Sequence, residues 1–241
     1  MPVQEVLIMA VTRMLSGVCT AGLIREADPV TRLRWVRPVK EYDTLLLGDL
    51  TDAQGRVIQM DDVVELDLLR PRPQPPHCED WITDWIQRRP RPVRRLEGER
   101  RARFLAEHLD QAPSDVLERG TRSLCLVRPK QIWAHFNLDP FSGKYQARLG
   151  FILDGVRHPQ AQAESGVPVT DLRWRALGRR WLGTTGGTLQ LSHQELCVRL
   201  GAEEIYLSLG LSRGYQGQTW LLVIGVHCVP DYIVEIDYQH L

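Results

Sequence analysis

The 241-residue sequence lacks several features that would assign it to a common class of protein. Thirty basic and thirty acidic residues give a net charge of zero at pH 7, so no molecule-wide field attracts nucleic acid or membrane. Lysine is scarce, because Lys40, Lys130 and Lys144 stand among thirty basic residues and all the others are arginine. No apolar run approaches the roughly 20 residues of a membrane span, and the first residues lack a signal-peptide pattern. We therefore expect a soluble, cytoplasmic protein that does not contact a membrane.

Signatures of metal, disulfide and nucleotide sites are also missing. The five cysteines are an odd number with no CxxC pair, which excludes a disulfide framework and a zinc ribbon. No GxGxxG motif follows the first predicted strand, and the Gly/Thr segment 183–188 lacks the lysine of a P-loop. We expect that segment to be a hairpin or loop tip. We expect neither a cofactor nor a metal.

The chain is organised in short β segments on both sides of a proline-rich interruption. Apolar, β-branched runs at 3–11, 34–39 and 57–69 predict strands. In the second half, runs at 124–129, 145–153, 169–176, 205–211 and 218–229 predict strands separated by glycine turns. Short strands at about ten-residue spacing favour barrels or sandwiches over βαβ units. The predicted class is mainly β, with two OB-like β-barrels at 1–75 and 121–241.

Between these barrels we expect a proline-bounded helical insert at 76–120. Four prolines in residues 70–76 favour an extended connector. Beyond them, Trp81, Ile82, Trp85 and Ile86 recur at helical spacing, and residues 96–109 resemble an amphipathic helix. Eight arginines lie between residues 88 and 103. They form either a basic patch for a ligand or a set of surface ion pairs with nearby glutamates.

Six segments near the two ends of the chain carry a resemblance to a known family. They are VLIMA at 6–10, TR at 12–13, GVCTAG at 17–22, WVRPV at 35–39, YLSLGLSR at 206–213 and WLLVIGVH at 220–227. Together they resemble the dual OB-containing domain family of prokaryotes. The resemblance implies two OB-fold barrels and a role in binding or sensing nucleic acid in defence and conflict systems. An effector protein is then an expected partner.

Arginines interleaved with aromatic residues are the remaining signal for function. Guanidinium groups neutralise phosphates and flat rings stack on bases, which is the chemistry of single-strand binders. We therefore predict a non-enzymatic module that binds single-stranded DNA or RNA, or a nucleotide. The alternative for these residues is that the tryptophans are core residues and the arginines are solvated. The predicted contact residues are Arg13, Arg34, Trp35, Arg37, Arg173, Trp174, Arg175, Arg213 and Tyr215.

Two other classes of function stay open at this stage. Cys19 lies in a Gly-bounded segment near Arg13, and a nearby cation lowers the pKa of a thiol. The acidic clusters at 61–67 and 79–84 have the residue types that bind Mg²⁺. An enzyme acting on nucleic acid or a nucleotide is therefore one alternative, although we predict no catalytic residue. A protein-interaction adaptor that docks a partner through residues 76–120 is the other.

Overall fold

The computed structural model confirms a mainly β architecture. It describes residues 3–14, 16–159, 166–183, 186–214 and 217–238. The chain divides into two compact units, one formed by Met1–Glu107 with Gln111–Cys125 and the other by His108–Asp110 with Leu126–Leu241. Within the described ranges, no helix combines the length and apolar character needed to cross a membrane.

The first unit is built on a seven-stranded sheet of order β5-β6-β3-β2-β1-β4-β7. Its elements are β1 (Gln4–Arg13), β2 (Val18–Ile24), β3 (Trp35–Val39), a 3₁₀ helix (Leu47–Leu50), β4 (Asp62–Leu66), β5 (Leu68–Pro71), β6 (Asp80–Thr83), β7 (Arg91–Arg95), α1 (Gly98–Glu107) and α2 (Ser114–Leu117). β1 is buried on both faces from Val6 to Thr12, as expected for a central strand. Gly22 allows β2 to approach it, since a Cβ there would lie 2.3 Å from the Leu7 carbonyl oxygen.

A separate helical insert at 76–120 is not confirmed. The helix expected from Trp81, Ile82, Trp85 and Ile86 is wrong, because residues 80–83 form β6, which pairs with β3 and β5. β7 also belongs to the sheet, beside β4, and the predicted helix at 96–109 is confirmed as α1. Two tryptophans with apolar neighbours fit a buried strand as well as a helix face, so spacing alone misled the prediction.

The arginines of 88–103 form ion pairs with carboxylates of the sheet. Arg94 lies 2.8 Å from Glu5, Arg95 lies 2.8 Å from Asp62, and Arg91 pairs with Glu65. We call Arg91, Arg94 and Arg95 the arginine ladder. Of the two interpretations of this segment, the ion-pair one describes the ladder, although its partners come mainly from β1 and β4.

The second unit contains two sheets and two helices. Its elements are β9 (Gln131–Leu138), β10 (Tyr145–Leu153), β11 (Val156–His158), β12 (Val167–Pro168), α3 (Leu172–Leu182), β13 (Gly187–Leu191), α4 (His193–Leu200), β14 (Glu204–Leu211) and β15 (Leu221–Val229), and the chain enters the unit along β8 (Leu124–Val127). One sheet has the order β11-β10-β9-β13, with β12 also paired to β10, and the other has the order β15-β14-β8. Helices α3 and α4 both contact β9.

The strand predicted at 169–176 is wrong, because the chain turns into α3 after Thr170. Asp171 caps this helix: its carboxylate accepts hydrogen bonds from the backbone N–H groups of Arg173 and Trp174, at 2.8 and 3.4 Å. Its second oxygen accepts from the Val226 N–H of β15 at 2.8 Å. An Asp before a stretch with apolar residues at helical spacing is the N-terminal signal that was missed.

The buried Asp171 carboxyl gives the unit a pH-dependent stability. Burial raises the pKa of Asp171 from its ordinary 3.8 to about 6, against the opposing effects of the backbone hydrogen bonds and of Arg173. The native chain therefore holds a proton that the unfolded chain releases. The contribution of Asp171 to the free energy of unfolding is complete below pH 3.8 and is lost as the pH rises through 6.

An Asp171→Asn variant tests this dependence, since asparagine does not titrate. Between pH 4 and pH 7, the wild type should lose about 3 kcal/mol of unfolding free energy relative to the variant. Urea denaturation at both pH values measures the difference. A difference between the two proteins that stays constant with pH would contradict the raised pKa.

Candidate functional site

Arg37, a predicted contact residue, lies inside the first unit with only 6% of its surface exposed. Its Nε donates to the Asp80 carboxylate at 2.7 Å, and one terminal nitrogen lies 2.7 Å from His77 Nδ1 and 2.9 Å from Ser123 Oγ. Buried charges are tolerated when they are paired and hydrogen-bonded, and this guanidinium is engaged on several sides. The geometry gives Arg37 a structural role.

The same network extends to a buried glutamate. Glu79 accepts hydrogen bonds from the backbone N–H groups of Ser123 and Leu124 at 2.8 and 2.9 Å, and from Ser123 Oγ at 2.8 Å. Trp35, the neighbouring contact candidate in β3, is also buried. A base could stack on Trp35 only if the sheet opened, so this ring serves the core of the first unit.

Arg173 and Trp174 fix the segment after β15 onto α3. Arg173 is 6% exposed, lies 2.9 and 3.0 Å from the two Asp231 oxygens, and has its guanidinium 4.6 Å from the centre of the Tyr232 ring. Trp174 has no exposed surface and contacts the rings of Phe136, Trp181 and Tyr232. Neither side chain presents a surface to a ligand in this conformation.

The remaining predicted contact residues are more accessible. Arg13 and Arg213 are exposed, and Arg34 is half-buried with its Nε donating to the Ile24 carbonyl at 3.2 Å. Arg175 is half-buried, with its guanidinium 4.9 Å from the centre of the Tyr145 ring. Tyr215 lies outside the described residues. The assignment of these side chains to nucleic-acid contacts stays a prediction.

The residues named for the catalytic alternative lie in the framework of the first unit. Cys19 is half-buried in β2, with its thiol 3.7 Å from the Thr20 carbonyl oxygen. Asp61 is buried and pairs with the buried Arg101 at 2.9 Å. Across the residues that the structure describes, no group of three His, Cys, Asp or Glu side chains is placed to hold a metal ion.

A second side of the β11-β10-β9-β13 sheet carries a set of polar and aromatic side chains that sequence reasoning missed. β9 alternates strictly: its inward residues Ile132, Ala134 and Phe136 are buried, whereas the residues between them are exposed or half-buried. Cross-strand neighbours share a side, so the pairing register defines the whole surface. We call it the outer face; it consists of Gln131, Trp133, His135, Asn137, Gln146, Arg148, Gly150, Ile152, Arg157, Thr188 and Gln190.

Trp133 lies flat on the sheet because its neighbour on β10 has no side chain. Gly150 is directly opposite Trp133, and a Cβ at that position would lie 2.0 Å from the indole Cε2. The Arg157 guanidinium stands 4.5 Å from the centre of the indole ring. Since Gly150 occupies one side of the ring, the guanidinium covers the other. An aromatic ring stacked with an arginine is a platform on which a flat ligand can continue the stack.

His135 occupies the next row of the outer face, between Arg148 on β10 and Gln190 on β13. Burial, assisted by the positive charge of Arg148, lowers the pKa of His135. At pH 7 its imidazole is therefore neutral, with one nitrogen that donates and one that accepts a hydrogen bond. Such a group can pair with the edge of a base.

The third row joins Thr188, Asn137 and Gln146. Thr188 Oγ1 donates to Asn137 Oδ1 at 2.9 Å, which fixes the amide and leaves its Nδ2 hydrogens for another partner. Within the described part of these strands, the outer face contains two arginines and no acidic residue. Its charge and its mixture of donors and acceptors suit an anionic, aromatic ligand.

The fold and this surface define the class of the protein as a mainly β, barrel-like binding module. The model of the dual OB-containing domain family matches residues 4–226, nearly the whole chain. The protein therefore belongs to the dual OB-containing domain family, as the resemblance predicted. No curated protein and no solved structure gives a significant match.

Proposed function

We propose that this protein is a non-enzymatic module that binds single-stranded nucleic acid or a nucleotide through the outer face of its second unit. The observation that carries the proposal is Trp133, which lies flat on Gly150 beneath the Arg157 guanidinium. In this proposal the module acts as a sensor that reports the bound ligand to an effector protein in a prokaryotic defence system. The family resemblance is the basis for that role.

Three properties of the outer face support this ligand class. An exposed sheet surface is where OB folds bind oligonucleotides, and base-aromatic stacking contributes about 1–3 kcal/mol per base. Arg148 and Arg157 supply positive charge for phosphates without an acidic neighbour on the same face. A double-stranded ligand is disfavoured, because paired bases are stacked on each other and do not reach a flat aromatic platform.

Trp133→Ala tests the proposal directly. The variant should bind labelled 12-nucleotide DNA or RNA at least about tenfold more weakly than the wild type, because the stacking platform is gone. Fluorescence anisotropy titrations measure the affinities. Gly150→Val should weaken binding too, since its side chain displaces the indole from the sheet.

Trp220→Ala is the matched control. Trp220 is 46% exposed in the same unit, but it precedes β15 in the other sheet. Its removal should leave the affinity within about twofold of the wild type. Equal losses in the two tryptophan variants, or unchanged binding in Trp133→Ala, would contradict the outer face as the binding surface.

A further inference from the structure

The outer face is divided into three rows that a single ligand strand would meet in order. Trp133 with Gly150 forms the first row, His135 with Arg148 and Gln190 the second, and Asn137 with its neighbours Thr188 and Gln146 the third. Successive rows are two residues apart along β9, or about 7 Å. Unstacked bases of a single strand can separate to occupy such successive positions.

Hydrogen-bonding groups that read base edges dominate the second and third rows. The side-chain amides of Asn137, Gln146 and Gln190 each offer two donors and an acceptor. The adjacent donor and acceptor of an amide match the edges of bases, whereas phosphates only accept hydrogen bonds. The held orientation of Asn137, with Thr188 on its oxygen, makes this row a defined donor.

The two arginines of the outer face are already committed to the protein. Arg148 donates to the Gly166 carbonyl oxygen at 2.9 Å, and Arg157 stacks on Trp133. A guanidinium held this way makes at most one phosphate contact. Neutralisation of phosphates is therefore limited to about two on this surface, and it cannot supply most of the affinity.

We infer that the outer face selects its single-stranded ligand by base identity, with one base stacked beside Trp133 and Arg157 and the following bases read by His135 and the amides. This inference rests on the proposed function. It differs from a general single-strand binder, in which a basic groove follows the backbone and accepts any sequence.

The experiment compares homopolymers on the full chain. Affinities for labelled 12-nucleotide dA, dC, dT and rU strands are measured by anisotropy at four salt concentrations. We expect the tightest and weakest strands to differ by at least about tenfold. The logarithm of the binding constant should fall with the logarithm of salt with a slope no steeper than about −2, since each neutralised phosphate of a single strand contributes about −0.7.

The Asn137→Ala and Gln190→Ala variants complete the test. They should bring the affinities for the different strands closer together while the salt slope stays unchanged, and Gln131→Ala at the edge of the face is the control. Binding of all strands within twofold, with a slope steeper than about −3, would overturn the inference while leaving the proposed function intact. Loss of binding to every strand in the wild type would overturn both.

Discussion

Replacing Arg37 with methionine should lower the free energy of unfolding by about 3–5 kcal/mol. Methionine keeps much of the volume of arginine but leaves the buried Asp80 carboxylate without its ion-pair partner. Breaking a buried pair by removing one member has this cost because the remaining charge is desolvated without compensation. Chemical denaturation followed by circular dichroism measures the change.

Arg34→Met is the control for the Arg37 variant, because Arg34 lies in the same segment and is half-buried, with one hydrogen bond to a backbone carbonyl. Its loss should cost no more than about 1.5 kcal/mol. If Arg37→Met instead kept wild-type stability and lost affinity for single strands, Arg37 would be a contact residue and its structural assignment would be wrong.

Replacing Trp174 with alanine should also cost about 3–5 kcal/mol of unfolding free energy. The indole fills the space between Phe136, Trp181 and Tyr232 and has no exposed surface. A large-to-small change in a core removes transfer free energy and leaves a cavity. Thermal and urea unfolding of the variant measure the loss.

Trp174→Phe separates packing from ligand contact. Phenylalanine retains most of the buried ring, so the stability loss should be clearly smaller than for alanine, and the folded protein should keep its affinity for single strands within about twofold. Phe136, the partner of Trp174, faces inward from β9, whereas Trp133 and His135 face outward. A tenfold affinity loss in Trp174→Phe would show that the ligand contacts α3.

The sequence predicted the strands well where their pattern had only one interpretation. Segments 3–11 and 145–153 correspond closely to β1 and β10. Asp67 interrupts the strand predicted at 57–69, so that the chain forms β4 and β5 in succession. The failures fall on short apolar segments with tryptophan, where helix and strand bury the same residues and long-range pairing decides.

The candidate site was predicted in chemistry but not in position. Arginine beside an aromatic ring is the observed arrangement, yet the residues that form it, Arg157 and Trp133, are 24 positions apart in the sequence. Sequence neighbours on a strand point to opposite sides, so adjacent Arg-Trp pairs were a poor guide. The alternation of β9, with polar residues at 131, 135 and 137 flanking Trp133, was the available signal.

The Val-Arg-Pro repeat shows why a short motif does not carry a role. Arg37 lies within β3 and is buried in the network of the first unit. Arg128 lies just beyond the end of β8, is exposed and pairs with Glu204 at 2.6 Å. The same tripeptide thus serves two environments, because the elements packed around each strand determine whether the guanidinium points to the core or to solvent.

The arginine ladder has a consequence for how fast a ligand arrives. Each guanidinium of the ladder has a carboxylate beside it, so the densest run of positive charge in the sequence produces little field beyond the surface. Electrostatic steering accelerates encounters only when such a field extends into solution. Capture of a strand is then left to unguided collision, and the lifetime of the complex, set by short-range contacts, governs how long any signal persists.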